Sequence, residues 1–230
     1  QESAASHTQP LPPQPPPPPP PPLRADALDC RVSGSTCAVL LLEPTRAVTA
    51  NVGDSRCVAA VQRSSRDRLR AVEWTTDQTP ELPEEGRRLR TMGARIMPWD
   101  EDKLSRQPVQ RIWLPDADSP GLAISRSFGD TVAAQVGVMA EPVVRTFALT
   151  RDVRFLILAT DGLWQFMTSQ EAVDLTARVL DAGYTVHDAT WQLIAEASER
   201  WARDGAVCDD ITICVLLLDQ ARLPHPSLRA

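Results

Sequence analysis

The chain has 230 residues, 43% of them hydrophobic and 23% charged, with a formal net charge of -6. Net acidity argues against general nucleic-acid binding. No apolar run approaches the roughly 20 residues needed to cross a bilayer, and no charged-then-apolar leader opens the chain, so neither nucleic acid nor membrane is an expected partner. The five cysteines, Cys30, Cys37, Cys57, Cys208 and Cys214, show no CxxC or zinc-like spacing and are odd in number. That pattern suits a reducing compartment, with the cytoplasm or nucleus as the default location. Because the chain starts at Gln1 rather than Met, a fragment or a processed form is expected.

In chain order, residues 1–24 read as a Pro-rich disordered segment with an unbroken proline run from Pro15 to Pro22. Each proline removes an N–H and fixes φ, which favours polyproline II. The tract reads as a spacer, with a docking site for a proline-recognising domain as the other reading. Thr36 to Leu42, Arg46 to Val52 and Arg56 to Gln62 are three closely spaced strand candidates. Turns at Glu43-Pro44-Thr45 and Gly53-Asp54-Ser55 make them an antiparallel meander. The basic stretch Arg63 to Arg70 reads as a solvated loop. Pro83 to Met92 reads as a short helix stopped by Gly93, and Trp99 to Pro120 as a long, polar, irregular excursion, a kind of segment that tends to be functional or mobile.

Phe155 to Thr160 is strongly apolar and reads as a buried strand ending at Asp161-Gly162. Thr168 and Glu171 form a capping box ahead of a helix with an apolar face at Ala172, Val173, Leu175, Val179 and Leu180, ended by Gly183. Thr185 caps a second helix, in which Val186, Ala189, Leu193, Ala197 and Trp201 repeat at helical spacing up to Gly205. Ile211 to Leu218 reads as another buried strand, opened by Asp209-Asp210. Strands in one run, two helices and a final strand indicate an α+β layered sandwich with largely antiparallel sheets. Residues 25–220 form the folded unit and 221–230 a C-terminal tail.

Asp161 and Asp209 therefore sit at the mouths of apolar strands. Carboxylates held rigidly beside a core form an oxygen-rich cradle for hard cations such as Mg²⁺ or Mn²⁺, which points to a metal-assisted hydrolase. Ser125 and Ser127 do not suggest a serine nucleophile, because no histidine base is placed beside them by any motif. His7, His187 and His225 read as surface residues, Arg56 and Arg126 as structural ion-pair partners, and Asp210 as a turn or supporting group.

Five segments follow one another along the chain: Ser33-Gly34-Ser35-Thr36, Ala50-Asn51-Val52-Gly53-Asp54-Ser55-Arg56, Gly121-Leu122-Ala123-Ile124-Ser125-Arg126-Ser127-Phe128-Gly129-Asp130, Ala159-Thr160-Asp161-Gly162-Leu163-Trp164 and Asp209-Asp210-Ile211-Thr212. Between them lie Asp77-Gln78-Thr79-Pro80, Arg111-Ile112-Trp113-Leu114-Pro115-Asp116 and Gly137-Val138-Met139-Ala140-Glu141-Pro142. This ordered set resembles the metal-dependent protein serine/threonine phosphatases of type 2C, in particular their plant members, from Ser33 to about Leu218.

The resemblance implies an α-β-β-α sandwich of two antiparallel sheets flanked by helices, with a binuclear Mg²⁺ or Mn²⁺ centre at one end. It also implies hydrolysis of phosphoserine or phosphothreonine in proteins without a covalent phosphoenzyme. It assigns Asp161 and Asp209 as metal ligands and Asp54 as a ligand of a third, weaker ion, with no catalytic residue beyond the ligands. Residues 83–120 become a flap beside the site, where Trp99 is a candidate partner contact. The family's upstream Met-Glu-Asp and Asp-Gly-His-Gly motifs are missing from this sequence, and Gln165 stands where an aspartate is usual. The fold and the ligand set are accordingly expected to be N-terminally incomplete. Three explanations stand: a fragment of a larger phosphatase, a pseudophosphatase acting as a phosphoprotein- or kinase-binding scaffold, or a half-domain completed by a partner. A monomer acting on a phosphoprotein is expected.

Overall fold

Period-two alternation builds the first ladders. In the computed structural model, which describes residues 29–64, 66–99, 108–205 and 207–224, β1 (Gly34–Ser35) is followed by β2 (Cys37–Leu42) and β3 (Arg46–Val52). The last two form a hairpin from Cys37↔Val52 to Leu42↔Ala47, with Arg46 donating to Glu43 at 2.6 and 3.0 Å across the turn. The expected meander ends there. β4 (Arg56–Val61) leaves the hairpin for a second sheet, where it lies between β5 (Arg70–Glu73) and β11 (Val153–Ala159). Its Cys57, Val58, Ala59 and Ala60 are all buried, so it needs cover on both faces and takes a central position.

The chain then forms α1 (Pro83–Thr91), β6 (Arg95–Pro98), β7 (Gln110–Leu114) and β8 (Ala117–Leu122). The excursion from Trp99 to Pro120, expected to be irregular, thus supplies β7 and most of β8, which join β6 in an antiparallel sheet of order β6-β7-β8. Its polar composition hid the strands. Ile112 and Trp113 bury their side chains, whereas neighbouring positions such as Arg111 and Leu114 stay partly exposed. Trp99, offered as a partner contact, packs edge-on against Trp113 with ring centroids 5.4 Å apart. Next come β9 (Phe128–Gly129), which pairs with β1, α2 (Thr131–Ala134), β10 (Val143–Ala148) and β11. The remaining elements are α3 (Asp161–Trp164), α4 (Ser169–Asp181), α5 (Val186–Asp204) and β12 (Ile213–Leu217).

Two sheets stack, in the orders β10-β3-β2 and β12-β11-β4-β5, and every ladder in them is antiparallel. Alternate residues of β4 and β11 serve opposite cores. Cys57, Ala59 and Leu156 face the other sheet with Ala47 and Trp74, whose ring stacks on Phe147 at 4.7 Å. Val58, Ala60, Phe155 and Ile157 face α4 and α5 through Val173, Leu193 and Ala197. The described helices α4 and α5 form one helical layer. On the outer face of the three-stranded sheet, Val39, Leu41 and Val144 are 50%, 55% and 59% exposed.

Ile211 to Leu218, expected as a buried strand, is instead an edge. Among the described residues β12 pairs only with β11, and Leu217 is 53% exposed. An apolar run reports hydrophobicity but not whether both sheet faces are covered. At the C-terminal end, placed in a tail from residue 221, Leu223 is buried, and Arg151 donates to the Leu223 carbonyl at 2.8 Å. The Pro-rich segment 1–24, His7 and His225 lie outside the described residues.

Both helix starts are capped as expected. The Thr168 hydroxyl accepts from the Glu171 amide while Glu171 accepts from the Thr168 amide at 2.8 Å, and Thr185 and Asp188 repeat the arrangement. Thr168→Ala is expected to cost about 1 kcal/mol in urea denaturation, with the denaturant slope unchanged. Gly205 ends α5 with a φ of 76°, a left-handed cap that favours glycine. No helix among the described residues is long and apolar enough to cross a membrane.

Candidate active site

Strand β11 delivers Asp161 to one end of the sandwich, where the chain turns at once into α3. The turn is zipped to the segment ahead of β12. The Thr160 amide donates to the Thr212 carbonyl at 3.1 Å, the Thr212 amide to Thr160 Oγ1 at 3.1 Å, and Thr160 Oγ1 to the Asp210 carbonyl at 3.1 Å. Asp210 thus supports the turn through its backbone. Gly162 lies flat against it, since a Cβ there would sit 2.5 Å from the Asp210 carbonyl oxygen. Gly162→Ala is expected to lose about 1–3 kcal/mol by forcing these two segments apart, a change thermal unfolding would register.

Asp54 comes from the turn that carries the chain from one sheet to the other. Gly53, at φ 95°, makes that turn possible, and the buried Gln78 locks it. Gln78 Oε1 accepts from the Gly53 amide at 2.7 Å, and Gln78 Nε2 donates to the Asn51 carbonyl at 3.0 Å. The preceding residue, Asp77, is gripped by Arg56 through two hydrogen bonds of 3.0 and 2.6 Å. Arg56 also donates to Ser169 Oγ at 3.0 Å and lies 5.0 Å from the centre of the Trp164 ring.

These elements enclose a cavity of about 540 Å³. Asp54, Asp77, Asp161 and Asp209 all line it, and Arg111, Gln165 and Trp201 form parts of its wall. The carboxylates act on one another. Burial, and then the charges of Asp161 and Asp77, push Asp54 up to about 7; burial, and then the charge of Asp209, raise Asp161. Among the described residues no group of three or more His, Cys, Asp or Glu side chains is gathered closely enough to hold a metal ion.

The three aspartates picked out in the sequence therefore share one cavity. Sequence reading assigned no role to Asp77, Arg111 or Trp201. Asp77 and Arg111 stand in quoted family-like phrases, and that position was the available signal. Trp201 read as part of the apolar helix stripe. Arg126 is structural, donating to Glu85 at 2.7 Å and to the Glu141 carbonyl at 2.7 Å. Ser125 donates to Glu85 at 2.7 Å and Ser127 to Asp130 at 2.6 Å, so both buried hydroxyls are tied up in structural hydrogen bonds. His187 is an exposed residue of α5 that accepts a hydrogen bond from Trp191 at 2.9 Å. The five cysteines are free thiols.

The family profile described as Protein phosphatase 2C matches residues 22–210. Over 202 residues the chain is 34% identical to Probable protein phosphatase 2C 73 of Oryza sativa subsp. japonica, covering 87% of the chain and 45% of that protein. Over 205 residues it is 35% identical to Probable protein phosphatase 2C 72 of Arabidopsis thaliana, covering 88% and 59%. The chain thus spans about half the length of the curated relatives it matches. Among solved structures, serine-threonine phosphatase 2C from Toxoplasma gondii aligns with a TM-score of 0.69 at 24% identity, covering 81% of this chain and 58% of that one. A sex determining protein of C. elegans aligns at 0.61 and 18% identity, covering 84% and 43%. At these identities the structural likeness establishes the fold.

Proposed function

This chain belongs to the protein phosphatase 2C family, and from that premise we propose that it takes part in metal-dependent hydrolysis of phosphoserine or phosphothreonine in proteins. The observation that carries the reading is the convergence of Asp54, Asp77, Asp161 and Asp209 from separate segments onto one cavity. Hard carboxylate oxygens suit Mg²⁺ or Mn²⁺; burial first and then neighbouring carboxylates raise Asp54 and Asp161, and a bound cation would relieve that repulsion.

We assign Asp161 and Asp209 to hold such an ion, with Asp54 toward a weaker additional site. Two carboxylates fit one hard cation whose shell water completes; they do not supply the ligands of a binuclear centre. A bound cation supplies an activated water and offsets charge on the phosphate oxygens. Gln165, an amide at the cavity wall, contributes no charge and weakens the additional site. Arg56 is committed to Asp77 and Ser169, which keeps that side of the cavity rigid. Arg111 places a guanidinium in the wall, of the sign a phosphorylated segment would meet.

The test is release of inorganic phosphate from a phosphothreonine peptide by the purified, folded chain in Mn²⁺. Turnover that EDTA abolishes is expected. Folded protein without turnover in Mn²⁺ would overturn the proposal in favour of a binding module.

A further inference from the structure

We propose that Trp201, near the end of α5, is a positioning residue that sets the direction of Asp161. Two consecutive residues of α5 reach the segment after Asp161 from behind. The Trp201 indole donates from Nε1 to the Gly162 carbonyl at 2.8 Å, and Arg200 donates from Nη1 to the Phe166 carbonyl at 2.8 Å. The two acceptors lie four residues apart, Gly162 within α3 and Phe166 just past its end. Neighbours on a helix point about 100° apart, so this pair holds the short turn at two points rather than one.

The clasp is anchored on its far side. Arg200 pairs with Glu196 at 2.8 Å on α5 and with Glu171 at 3.1 Å in the first turn of α4. The Trp201 ring meets Phe166 edge-on, with centroids 4.7 Å apart and planes at 86°. Within the turn itself, Trp164 donates from Nε1 to the Ala159 carbonyl at 2.9 Å, fixing the strand side. Trp201 completes the hold on the helix side while its ring lines the same cavity as Asp161 and Asp209. A helix of four residues has little cooperative stability of its own, so the plane of the Gly162 peptide depends on this donor. That peptide joins Gly162 to Leu163, one beyond Asp161, whose own carbonyl accepts from the Gln165 amide at 2.8 Å, so loosening the turn loosens the backbone that carries Asp161.

The inference rests on the assignment of Asp161 to the reacting centre, but its test does not require turnover. In the full chain, Trp201→Phe removes the N–H donor and keeps a ring against Phe166, whereas Phe166→Leu removes the ring contact and keeps the donor. Amide hydrogen exchange at Leu163 and Gln165 is measured beside the binding of Mn²⁺ alone by electron paramagnetic resonance. Trp201→Phe is expected to speed exchange at those two amides, leave exchange in β4 and β11 unchanged, and weaken Mn²⁺ binding about tenfold. Phe166→Leu is expected to leave both readouts near wild type. Unchanged exchange at Leu163 and Gln165 in Trp201→Phe, acceleration spread evenly through the protein, or equal loosening by the two variants would each overturn the proposal. If wild-type protein binds Mn²⁺ and releases no phosphate, the phosphatase reading fails while the exchange comparison still decides the role of Trp201.

Discussion

Asp161→Asn is expected to lower Mn²⁺-dependent phosphate release by about a hundredfold or more, while the metal-free protein melts at a higher temperature than wild type. Replacing outer partners of metal ligands costs about 10–100-fold, so losing a ligand charge should cost at least as much. The stability effect has the opposite sign. Burial and the charge of Asp209 raise the Asp161 carboxyl, and Asp161 in turn raises Asp54, which means that ionised Asp161 opposes folding when no cation is present. The amide preserves shape and removes the repulsion. Function and stability are thus separated in one substitution, read by phosphate release in Mn²⁺ and by thermal unfolding in EDTA. Lower activity together with a lower melting temperature would instead mark Asp161 as a structural turn residue.

Glu85→Gln is expected to cost about 3–5 kcal/mol at neutral pH, measured by urea denaturation. Glu85 is 2% exposed and ties α1 to the segment before β9. It accepts from Arg126, Arg88 and Ser125, and its loss would leave two guanidinium groups without their counter-charge. Burial alone would raise its pKa, but hydrogen bonds from Arg126, Ser125 and Arg88 overcome that and hold it at about 2, below an ordinary value of 4.5. Its folded value is depressed, so its contribution is complete above the unfolded value and is lost as pH falls from about 4.5 toward 2. A depression of this size corresponds to about 3 kcal/mol. Asp54 acts in the other direction, since its raised value makes the fold more stable as pH falls from about 7 toward 4. Wild-type stability should therefore fall steeply only in the acid window below about 4.5, and the Gln variant should be flatter there. Equal slopes in the two proteins would show that Glu85 is not the group responsible.

The family was legible in the residues alone. Both capping boxes, the glycine stop of α5, the strands around Arg46 and Phe155, and the aspartates Asp54, Asp161 and Asp209 are local signals, each contained within a few residues. A cap or a period-two stripe is written where it acts. Their order along the chain carried the resemblance, which the profile match over residues 22–210 bears out.

Tertiary structure decided what depends on distant partners. The move of β4 to the second sheet follows from its pairing with β11, almost a hundred positions later, and the edge position of β12 from having one neighbour instead of two. The β6-β7-β8 sheet closed because Ile112 and Leu89 share a buried cluster that no local pattern announces. Trp201 is the sharpest case: as part of a helical stripe it reads as core, yet the approach of α5 to α3 puts its indole on the Gly162 carbonyl and its ring in the cavity. Periodicity tells a residue which face of its own element it occupies. What that face meets is set by which long-range pairs close, and those pairs are a property of the folded chain as a whole.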